Sequence, residues 1–277
     1  MTYKAIVLDL DGTLTNDEKI ITPRTYRALM EAQQRGVIVV LASGRPPHGI
    51  RYLADELHLN EGNGYILAFN GGQIIRCSDG HQMYSQELSS DFVPELYEAA
   101  VSNGFEILTY QTETIESTSQ SNPYIQKASK TNRMPIVWCP DFVHDIHYPI
   151  YKCLIVGDPD RMEAFETKLA KQMEGRMNIC CSTPFFLECA PLGIDKANAL
   201  RQLFGMLDIP LESVIAFGDG HNDISMIRLA GLGVAMDNAD ESVKQSADLV
   251  TASNNDDGVA LVIEKLILES PAGSNGN

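Results

Sequence analysis

Apolar residues along the chain form short continuous runs that stop abruptly at polar residues and are separated by segments with helical spacing. Runs of this kind are Ile6–Leu8 before Asp9, Val37–Ala42 before Ser43, Tyr65–Phe69 before Asn70, and Ser213–Phe217 before Gly218. After the first run, Thr22-Pro23 is a good helix start, since a hydroxyl caps a helix and proline suits its first position. Alternating buried strands and helices predict parallel strands joined by right-handed crossovers, which is an α/β fold.

The alternation is interrupted in the middle of the chain. There the pattern predicts a helix at Ser89–Asn103, strand-like segments after it, and an antiparallel pair at Met177–Ser182 and Phe185–Ala190. We interpret this stretch as an inserted mixed α/β domain of about 100 residues, close to the usual domain size. The expected segments are a core domain at 1–82, the insert at 83–190, the second part of the core at 191–268, and a disordered tail at 269–277.

Composition and charge restrict the partners. Hydrophobic residues make up 44% of the 277 residues and charged residues 21%, as is ordinary for a globular protein. The formal net charge is −16, and the sequence contains no basic cluster. A nucleic acid or an anionic membrane surface needs a positive face, so neither partner is expected. A phosphorylated small molecule remains compatible, because a cation, a lysine and an arginine can reverse the potential inside one cleft.

Three features bear on the location of the protein. The six cysteines contain no C-x-x-C pair and no regular spacing, and we interpret them as reduced residues. The first residues show no signal-peptide pattern, and no apolar segment approaches the ~20 residues that a membrane helix needs. We therefore expect a cytoplasmic protein without a membrane partner. The sequence contains no indication of its oligomeric state.

The first predicted strand ends at two carboxylates, Asp9 and Asp11. Residues two apart in a strand point to the same side, so both side chains are expected to emerge together. Gly12 permits a tight turn, and the N–H groups of its neighbours, followed by the Thr13 hydroxyl, are free to face an anion. On this stretch alone an acidic surface turn is an equally good interpretation, because Asp, Gly and Thr are common turn residues.

Polar residues after other strands are expected at the same site. In an open parallel sheet, ligands bind outside the carboxyl ends of the strands near the switch in strand order, where Ser43 and Asp219 would join Asp9. Asp219 and Asp223 are four residues apart, and both carboxylates face one pocket if Asn222 caps the following helix. Several carboxylates without a histidine cluster favour a hard cation such as Mg²⁺.

Lys196 is predicted in the first turn of a helix, where the helix dipole favours acidic residues. A lysine at that place is explained if an anion binds beside it. An exposed surface lysine is the alternative, and for Lys196 taken alone it is the more common situation.

Four motifs in this order resemble those of the haloacid dehalogenase (HAD) superfamily. They are Asp9-Leu10-Asp11-Gly12-Thr13, Ser43-Gly44-Arg45, Lys196, and Gly218-Asp219-Gly220-His221-Asn222-Asp223. The stretches similar to its Cof-type phosphatase branch are Gly233–Met236, Asn238-Ala239 and Asn254–Ala260. The resemblance covers both flanking segments and implies a Rossmann-like core with a cap domain inserted between the second and third motifs. Asp237 and Ala197 stand where the family pattern has glycine, which puts local turns or substrate contacts in doubt and not the chemistry.

The resemblance implies a Mg²⁺-dependent phosphatase acting on a small phosphate ester. In that scheme Asp9 is the nucleophile that forms an aspartyl-phosphate, and Asp11 is the general acid and then the general base. The candidate metal ligands are Asp9, Asp11 through its backbone carbonyl, Asp219, and Asp223 directly or through water. The candidate phosphate- or substrate-binding residues are Gly12, Thr13, Ser43, Gly44, Arg45, Lys196 and Asn222, with Gly44 and Arg45 shaping the loop.

Two other functions fit the same motifs. A phosphomutase would yield an isomeric phosphate ester, and a non-catalytic phosphoacceptor module would take up phosphate and change partner binding. Asp11, Lys196 and the domain-sized insert disfavour the phosphoacceptor module, whereas the phosphomutase is a weaker competitor that is distinguished by its product. A hexose phosphate, pyridoxal phosphate and a nucleotide phosphate all stay open as substrates. We interpret His221, which lies inside the fourth motif, as a surface residue, since a hard cation does not favour imidazole.

Overall fold

The computed structural model describes residues 3–269, so the predicted disordered tail lies outside the described residues except for Glu269. Within residues 3–269 the strands are β1 (Ala5–Leu8), β2 (Ile38–Ala42), β3 (Tyr65–Ala68), β4 (Gln73–Arg76), β5 (Gln82–Ser85), β6 (Glu106–Tyr110), β7 (Ile115–Ser117), β8 (Ile136–Trp138), β9 (Cys153–Val156), β10 (Asn178–Thr183), β11 (Phe186–Ala190), β12 (Val214–Gly218), β13 (Leu232–Ala235) and β14 (Leu249–Val250). The helices of the same range are α1 (Pro23–Gln34), α2 (His48–Glu56), α3 (Val93–Ser102), α4 (Pro123–Asn132), α5 (Phe142–Asp145), α6 (Pro159–Gln172), α7 (Lys196–Met206), α8 (Ile224–Leu229), α9 (Glu241–Lys244) and α10 (Gly258–Ile263). None of the helices in this described part is both long and apolar enough to cross a membrane.

Contacts between residues divide the chain into two units. The first comprises the residues up to Gly44, Arg51–Met83 and the chain from Asp195 onward. The second comprises Arg45–Ile50 and Tyr84–Ile194. Each unit has its own sheet.

The first unit contains an eight-stranded sheet in the order β14-β13-β12-β1-β2-β3-β4-β5. The six strands from β14 to β3 pair in parallel, and β4 pairs with β3 in antiparallel orientation. Strands β1, β2, β3 and β12 are apolar and almost entirely buried, as expected for parallel strands covered on both faces. Because β1 has β2 on one side and β12 on the other, its carboxyl end lies at the switch point of the sheet. The predicted α/β fold with a parallel-sheet core is confirmed.

The second unit contains a six-stranded sheet in the order β10-β11-β9-β6-β7-β8. Its pairs are antiparallel except β7 and β8, which are parallel because α4 crosses between them. Side chains from α3, α5 and α6 pack against alternate residues of β6 and β9 in one apolar core, which includes Leu96, Phe142, Phe165, Ile107 and Ile155. The predicted mixed α/β composition of this stretch is therefore correct.

Local sequence patterns predict some helices and strands correctly and miss others. Helix α1 begins at Pro23 as predicted, and the Thr22 hydroxyl accepts a hydrogen bond from the Thr25 N–H at 3.3 Å. The stretch 14–21 forms turns beside an isolated bridge between Asp11 and Thr15. Strands β4 and β5 were not predicted, because they lack the long apolar runs of the parallel strands.

Gly233 in β13 and Gly205 in α7 form a matched pair for a stability test. A Cβ at Gly233 would lie 2.2 Å from the backbone oxygen of Ile227 in α8, whereas a Cβ at Gly205 would meet nothing within 4 Å. We expect Gly233→Ala to lower the free energy of unfolding by about 1–3 kcal/mol, because the backbone must move. Gly205→Ala is expected to raise it by about 0.5–1 kcal/mol, since alanine loses less backbone entropy in a helix. Urea unfolding measures both changes. A Gly233→Ala protein as stable as wild type would contradict the close contact of α8 with β13.

Candidate functional site

Asp9 and Asp219 follow the two strands at the centre of the first sheet. Strands β1 and β12 pair in parallel, with Leu8 opposite Phe217. The Asp9 N–H continues this ladder by donating to the Phe217 carbonyl at 3.1 Å. Both chains therefore leave the sheet at the same end, which brings the two carboxylates to one place.

The ammonium group of Lys196 joins two carboxylates. Its Nζ lies 2.6 Å from Asp9 Oδ1 and 2.6 Å from Asp223 Oδ1, and the residue is only 1% exposed. Lys196 is the first residue of α7, whose preceding residue Asp195 caps the helix by accepting from the Ala197 N–H at 2.6 Å. The alternative of an exposed surface lysine is therefore wrong. Two carboxylates within hydrogen-bond distance compensate the desolvation of the buried ammonium group.

Burial and charge shift the pKa values of this group of side chains. Burial, and next the Asp223 carboxylate, raise the pKa of Asp9 well above its usual value. Burial lowers the pKa of Lys196, but the charges of Asp223 and Asp9 outweigh it, and the pKa lies above that of an ordinary lysine. Burial is also the main cause that raises the pKa of Asp219 to about 6. Lys196 therefore stays charged, and it does not by itself offset the cost of ionising every carboxylate around it.

Asp223 is held by the backbone as well as by Lys196. Its Oδ2 accepts hydrogen bonds from the N–H groups of Asp219 at 3.1 Å and Gly220 at 2.9 Å. These bonds close the 3₁₀ turn His221–Asp223 that precedes α8, and they accompany complete burial of the Asp223 side chain. Asp223 thereby fixes the backbone that carries Asp219.

The turn after β1 holds the Asp219 carboxylate. Thr13 Oγ1 donates to Asp219 Oδ1 at 2.7 Å. Gly12 has φ +88°, and a Cβ at this position would lie 2.3 Å from Asp219 Oδ2. Glycine is required here, both by its left-handed backbone and by the approach of the carboxylate. Gly12 and Thr13, predicted at the phosphate or substrate, thus contact Asp219 in the structure.

Asp9, Asp219 and Asp223 form the one group of three potential His, Cys, Asp or Glu metal ligands among residues 3–269. One carboxylate oxygen of each lies within 4.8 Å of the others. An all-oxygen set suits a hard divalent cation, which would also relieve the repulsion that contributes to the raised pKa values of Asp9 and Asp219. The residues present therefore fit a divalent metal ion. His221 is exposed, as predicted, and its Nε2 lies 3.4 Å from Asp240 Oδ2.

The Asp11 carboxylate does not belong to this group of ligands. Its Oδ1 lies 2.9 Å from Lys19 Nζ, and 38% of the Asp11 side chain is exposed, compared with 11% of the Asp9 side chain. Asp9 and Asp11 thus have different surroundings, although the Asp11 charge still contributes to the raised pKa of Asp219. Strand β1 ends at Leu8, so the two-residue alternation of a strand does not extend through Asp11.

Ser43 and Gly44 follow β2 at the same end of the sheet. Ser43 is buried, and its N–H donates to the Leu67 carbonyl of β3 at 2.9 Å. A Cβ on Gly44 would lie 3.1 Å from Asn70 Nδ2, so the loop packs tightly on Asn70, the second residue after β3. The apolar strands thus place Ser43 beside Asn70.

Two predicted site residues make contacts that were not predicted. Asn222 Nδ2 donates to Asn70 Oδ1 at 3.0 Å, and the residue that precedes α8 is Asp223, so Asn222 does not cap this helix. Asp219 and Asp223 nevertheless lie in one cluster, although the cap was the condition stated for that arrangement. Arg45, predicted to shape the loop, lies in the second unit. Its Nη1 donates to the carbonyl oxygens of Gly49 at 3.1 Å and Thr131 at 3.4 Å.

Two asparagines that received no role in the sequence analysis support the loop after β1. Asn238 Nδ2 donates to the Gly12 carbonyl at 2.8 Å, and its Oδ1 accepts from the Asn254 N–H at 3.0 Å. Asn254 Nδ2 donates to the Thr15 carbonyl at 3.0 Å and to Asp17 Oδ1 at 3.2 Å. Both asparagines lie in stretches that resemble the Cof-type branch. This resemblance is the sequence feature that could have indicated their role.

The chain is similar in sequence and structure to known hydrolases and phosphatases. A family model described as haloacid dehalogenase-like hydrolase matches residues 6–263. The 5-amino-6-(5-phospho-D-ribitylamino)uracil phosphatase YcsE of Bacillus subtilis is 33% identical over 265 residues, which cover 96% of each chain. The crystal structure of a haloacid dehalogenase-like hydrolase from Bacteroides thetaiotaomicron has a TM-score of 0.93 and 47% identity, over 96% of this chain and 100% of that chain. The HAD subclass IIB sugar phosphatase BT4131 has a TM-score of 0.80 and 25% identity, over 95% of this chain and 98% of that chain.

An α/β fold with an acidic cluster at the switch point of its sheet defines the class as a hydrolase of the HAD type. The chain belongs to the haloacid dehalogenase-like hydrolases of the Cof type. The resemblance inferred from the four motifs is thereby confirmed. The enzyme is a phosphatase, and its substrate is accordingly a phosphorylated compound.

Asp219→Asn tests the electrostatic state of the site without metal. The folded protein binds a proton at Asp219 more tightly than the unfolded chain does, because the folded pKa is about 6. This contribution to stability is present below about pH 4 and is lost as the pH rises through about 6. In EDTA at pH 8 we therefore expect Asp219→Asn to raise the free energy of unfolding by about 2–3 kcal/mol.

Urea unfolding between pH 4.5 and 8 measures this difference, with Asp208→Asn as the control. Asp208 is exposed and lies outside the acidic cluster, so this variant controls for the loss of one carboxylate elsewhere. An Asp219→Asn protein that is less stable than wild type at every pH would contradict the electrostatic account.

Proposed function

We propose that the enzyme is a Mg²⁺-dependent phosphomonoester hydrolase that acts on a small phosphorylated metabolite, such as a sugar phosphate, through an aspartyl-phosphate on Asp9. The observation that carries this proposal is the position of Lys196 Nζ, 2.6 Å from both Asp9 and Asp223, inside a cluster of three carboxylates. A buried cation among carboxylates at the carboxyl end of β1 suits a site that stabilises the negative charge of a phosphoryl group while a carboxylate attacks its phosphorus.

The proposed metal ligands are Asp9, Asp219, Asp223 directly or through water, and the backbone carbonyl of Asp11. The first three already share one place in the structure, and Thr13 and Gly12 position Asp219 among them. When bound, Mg²⁺ supplies positive charge that offsets the carboxylates and the phosphate oxygens.

The proposed reaction has two steps. In the first, an Asp9 oxygen attacks phosphorus, the bond from phosphorus to the ester oxygen breaks, and Asp11 gives its proton to the leaving oxygen. In the second, Asp11 takes a proton from water, whose oxygen attacks the same phosphorus. The bond from phosphorus to the Asp9 oxygen then breaks, which releases inorganic phosphate and restores both carboxyl groups.

The exposure of the two aspartates supports these different roles. Asp9 is buried against Lys196, which fixes the orientation of its carboxylate. A nucleophile needs such a fixed orientation. Asp11 is partly exposed and pairs with Lys19, so it can exchange protons with water. Ser43 and Lys196 are proposed to hold the phosphoryl oxygens, with Asn222 at the phosphate or the substrate.

The substrate proposal rests on the relatives. One bears the name of a phosphatase for a phosphoribityl compound, and another is named a sugar phosphatase. Both names support a phosphate ester on a sugar-like carbon chain. We further propose that 1–82 and 191–268 form the catalytic core and that 83–190 is the cap domain that selects the substrate.

Asp9→Asn removes the proposed nucleophile and preserves the size of the side chain. With Mg²⁺ and p-nitrophenyl phosphate we expect kcat to fall about 10³-fold or more, because an amide oxygen does not form the covalent intermediate. EDTA is expected to abolish the wild-type activity, and added Mg²⁺ to restore it. Release of inorganic phosphate measures the reaction and separates hydrolysis from transfer to an isomeric ester. Full activity of Asp9→Asn would exclude the proposed nucleophile, and Asp208→Asn serves as the active control.

A panel of phosphorylated metabolites tests the substrate class. With Mg²⁺ present, kcat/KM is expected to be highest for primary phosphates of sugars and sugar alcohols, because binding energy from the remote hydroxyl groups contributes to the rate. Nucleotide phosphates and pyridoxal phosphate complete the panel. Consistently higher kcat/KM values for either of those two groups would contradict the sugar-phosphate assignment and leave the phosphatase class intact.

A further inference from the structure

Three consecutive residues after β3 have left-handed backbone conformations. Phe69, Asn70 and Gly71 have φ angles of +53°, +56° and +98°, and we call them the left-handed turn. Such a conformation costs about 1–2 kcal/mol for a residue with a side chain, and a bulky buried residue such as Phe69 adopts it least readily. Strain of this kind persists only where the surrounding structure enforces it, and it is concentrated at functional sites.

The backbone of the left-handed turn contacts two segments that carry proposed site residues. The Asn70 N–H donates to the Ser43 carbonyl at 2.9 Å. A Cβ on Gly71 would lie 2.6 Å from the Ala199 Cβ and 2.9 Å from the Asp195 carbonyl oxygen. The turn therefore packs against the loop after β2 and against the first turn of α7, the helix that begins with Lys196.

The Asn70 side chain makes the third connection. Its Oδ1 accepts a hydrogen bond from Asn222 Nδ2 at 3.0 Å. On its other side the amide lies against Gly44, where a Cβ would be 3.1 Å from Nδ2 and 3.2 Å from Oδ1. Asn222 is the residue before Asp223, so Asn70 connects the loop after β2 with the loop that carries the metal-site carboxylates.

We propose that Asn70 is a positioning residue for phosphoryl transfer, which holds the Ser43–Gly44 loop and the Asn222 amide in place. The inference rests on the proposed function, in which Ser43 and Asn222 contact the phosphoryl group or the substrate. A turn at φ +56° alone would be formed with less strain by glycine. The contacts of the Asn70 amide with Gly44 and Asn222 explain why a side chain is present at this strained position. A displacement of about 1 Å in groups that orient a substrate costs about 10²-fold in rate.

Asn70→Gly separates the side chain from the turn. Glycine adopts φ +56° without strain, so the variant is expected to fold with a Tm within about 2 °C of wild type. With Mg²⁺ and p-nitrophenyl phosphate, kcat and kcat/KM are expected to fall by the same factor, about tenfold or more, while KM changes by less than about threefold. This pattern indicates loss of an interaction that matters in the transition state.

Asp208→Gly is the matched control. Asp208 also has a positive φ, +53°, but it is exposed and follows α7 away from the acidic cluster. The same relief of strain at this position is expected to leave kcat and KM at their wild-type values. Kinetic constants of Asn70→Gly within about twofold of wild type would overturn the inference. A loss of activity that accompanies an equal fall in Tm, found in both Asn70→Gly and Asp208→Gly, would also overturn it.

A double-variant cycle tests whether Asn70 acts through Asn222. If it does, Asn70→Gly combined with Asn222→Ala loses less kcat than the product of the two single losses. Strictly multiplicative losses would contradict the connection. A wild-type protein without phosphatase activity would overturn the proposed function and this inference with it, whereas an active wild type with an equally active Asn70→Gly overturns the inference alone.

Discussion

The contact of Lys196 with Asp9 and Asp223 is the interaction on which the site depends. Two ion pairs at 2.6 Å hold an almost completely buried ammonium group, and they fix the carboxylate that follows β1 and the one in the turn before α8. Removing one partner of such a buried network leaves an uncompensated charge, which typically costs about 3–5 kcal/mol. The positive charge is smaller than the negative charge around it, because Asp219 also lies in the cluster. The excess negative charge of the carboxylates makes this cluster suitable for a metal ion.

The parallel sheet supplies the geometry for this interaction. Strands β1, β2, β3 and β12 all end at the same edge, so residues far apart in the chain meet there, such as Thr13 and Asp219, which are 206 positions apart. Close packing then removes freedom from the loops. Gly12 approaches Asp219, Gly44 approaches Asn70, and Gly71 approaches Ala199 more closely than a Cβ would allow without movement. The candidate site at this end of the sheet is thus built from rigid strand ends and from loops that pack against one another.

The parts of this edge that the sequence predicts are those marked by strong local patterns. Apolar runs that stop directly before Asp9 and Ser43, and one residue before Asp219, indicate strand ends, and an unusual lysine at a helix start indicates an anion. What local patterns do not contain is the contact between loops. The left-handed backbone of Phe69 is imposed by tertiary packing, against its own preference, and the pairing of Asp11 with Lys19 depends on how the turn folds back. The hydrogen bond from Asn222 to Asn70, in place of a helix cap, is likewise a contact between loops.

The central claim is that phosphate passes through a covalent bond to Asp9, and rapid acid quenching tests it most directly. The protein is mixed with Mg²⁺ and p-nitrophenyl phosphate, the reaction is stopped within one turnover, and the phosphorylated peptide is located by mass spectrometry. We predict that the phosphoryl group is found on Asp9, because that carboxylate is buried and oriented by Lys196. Turnover with the phosphoryl group on another residue, or with none on the protein at any time within the turnover, would contradict the account.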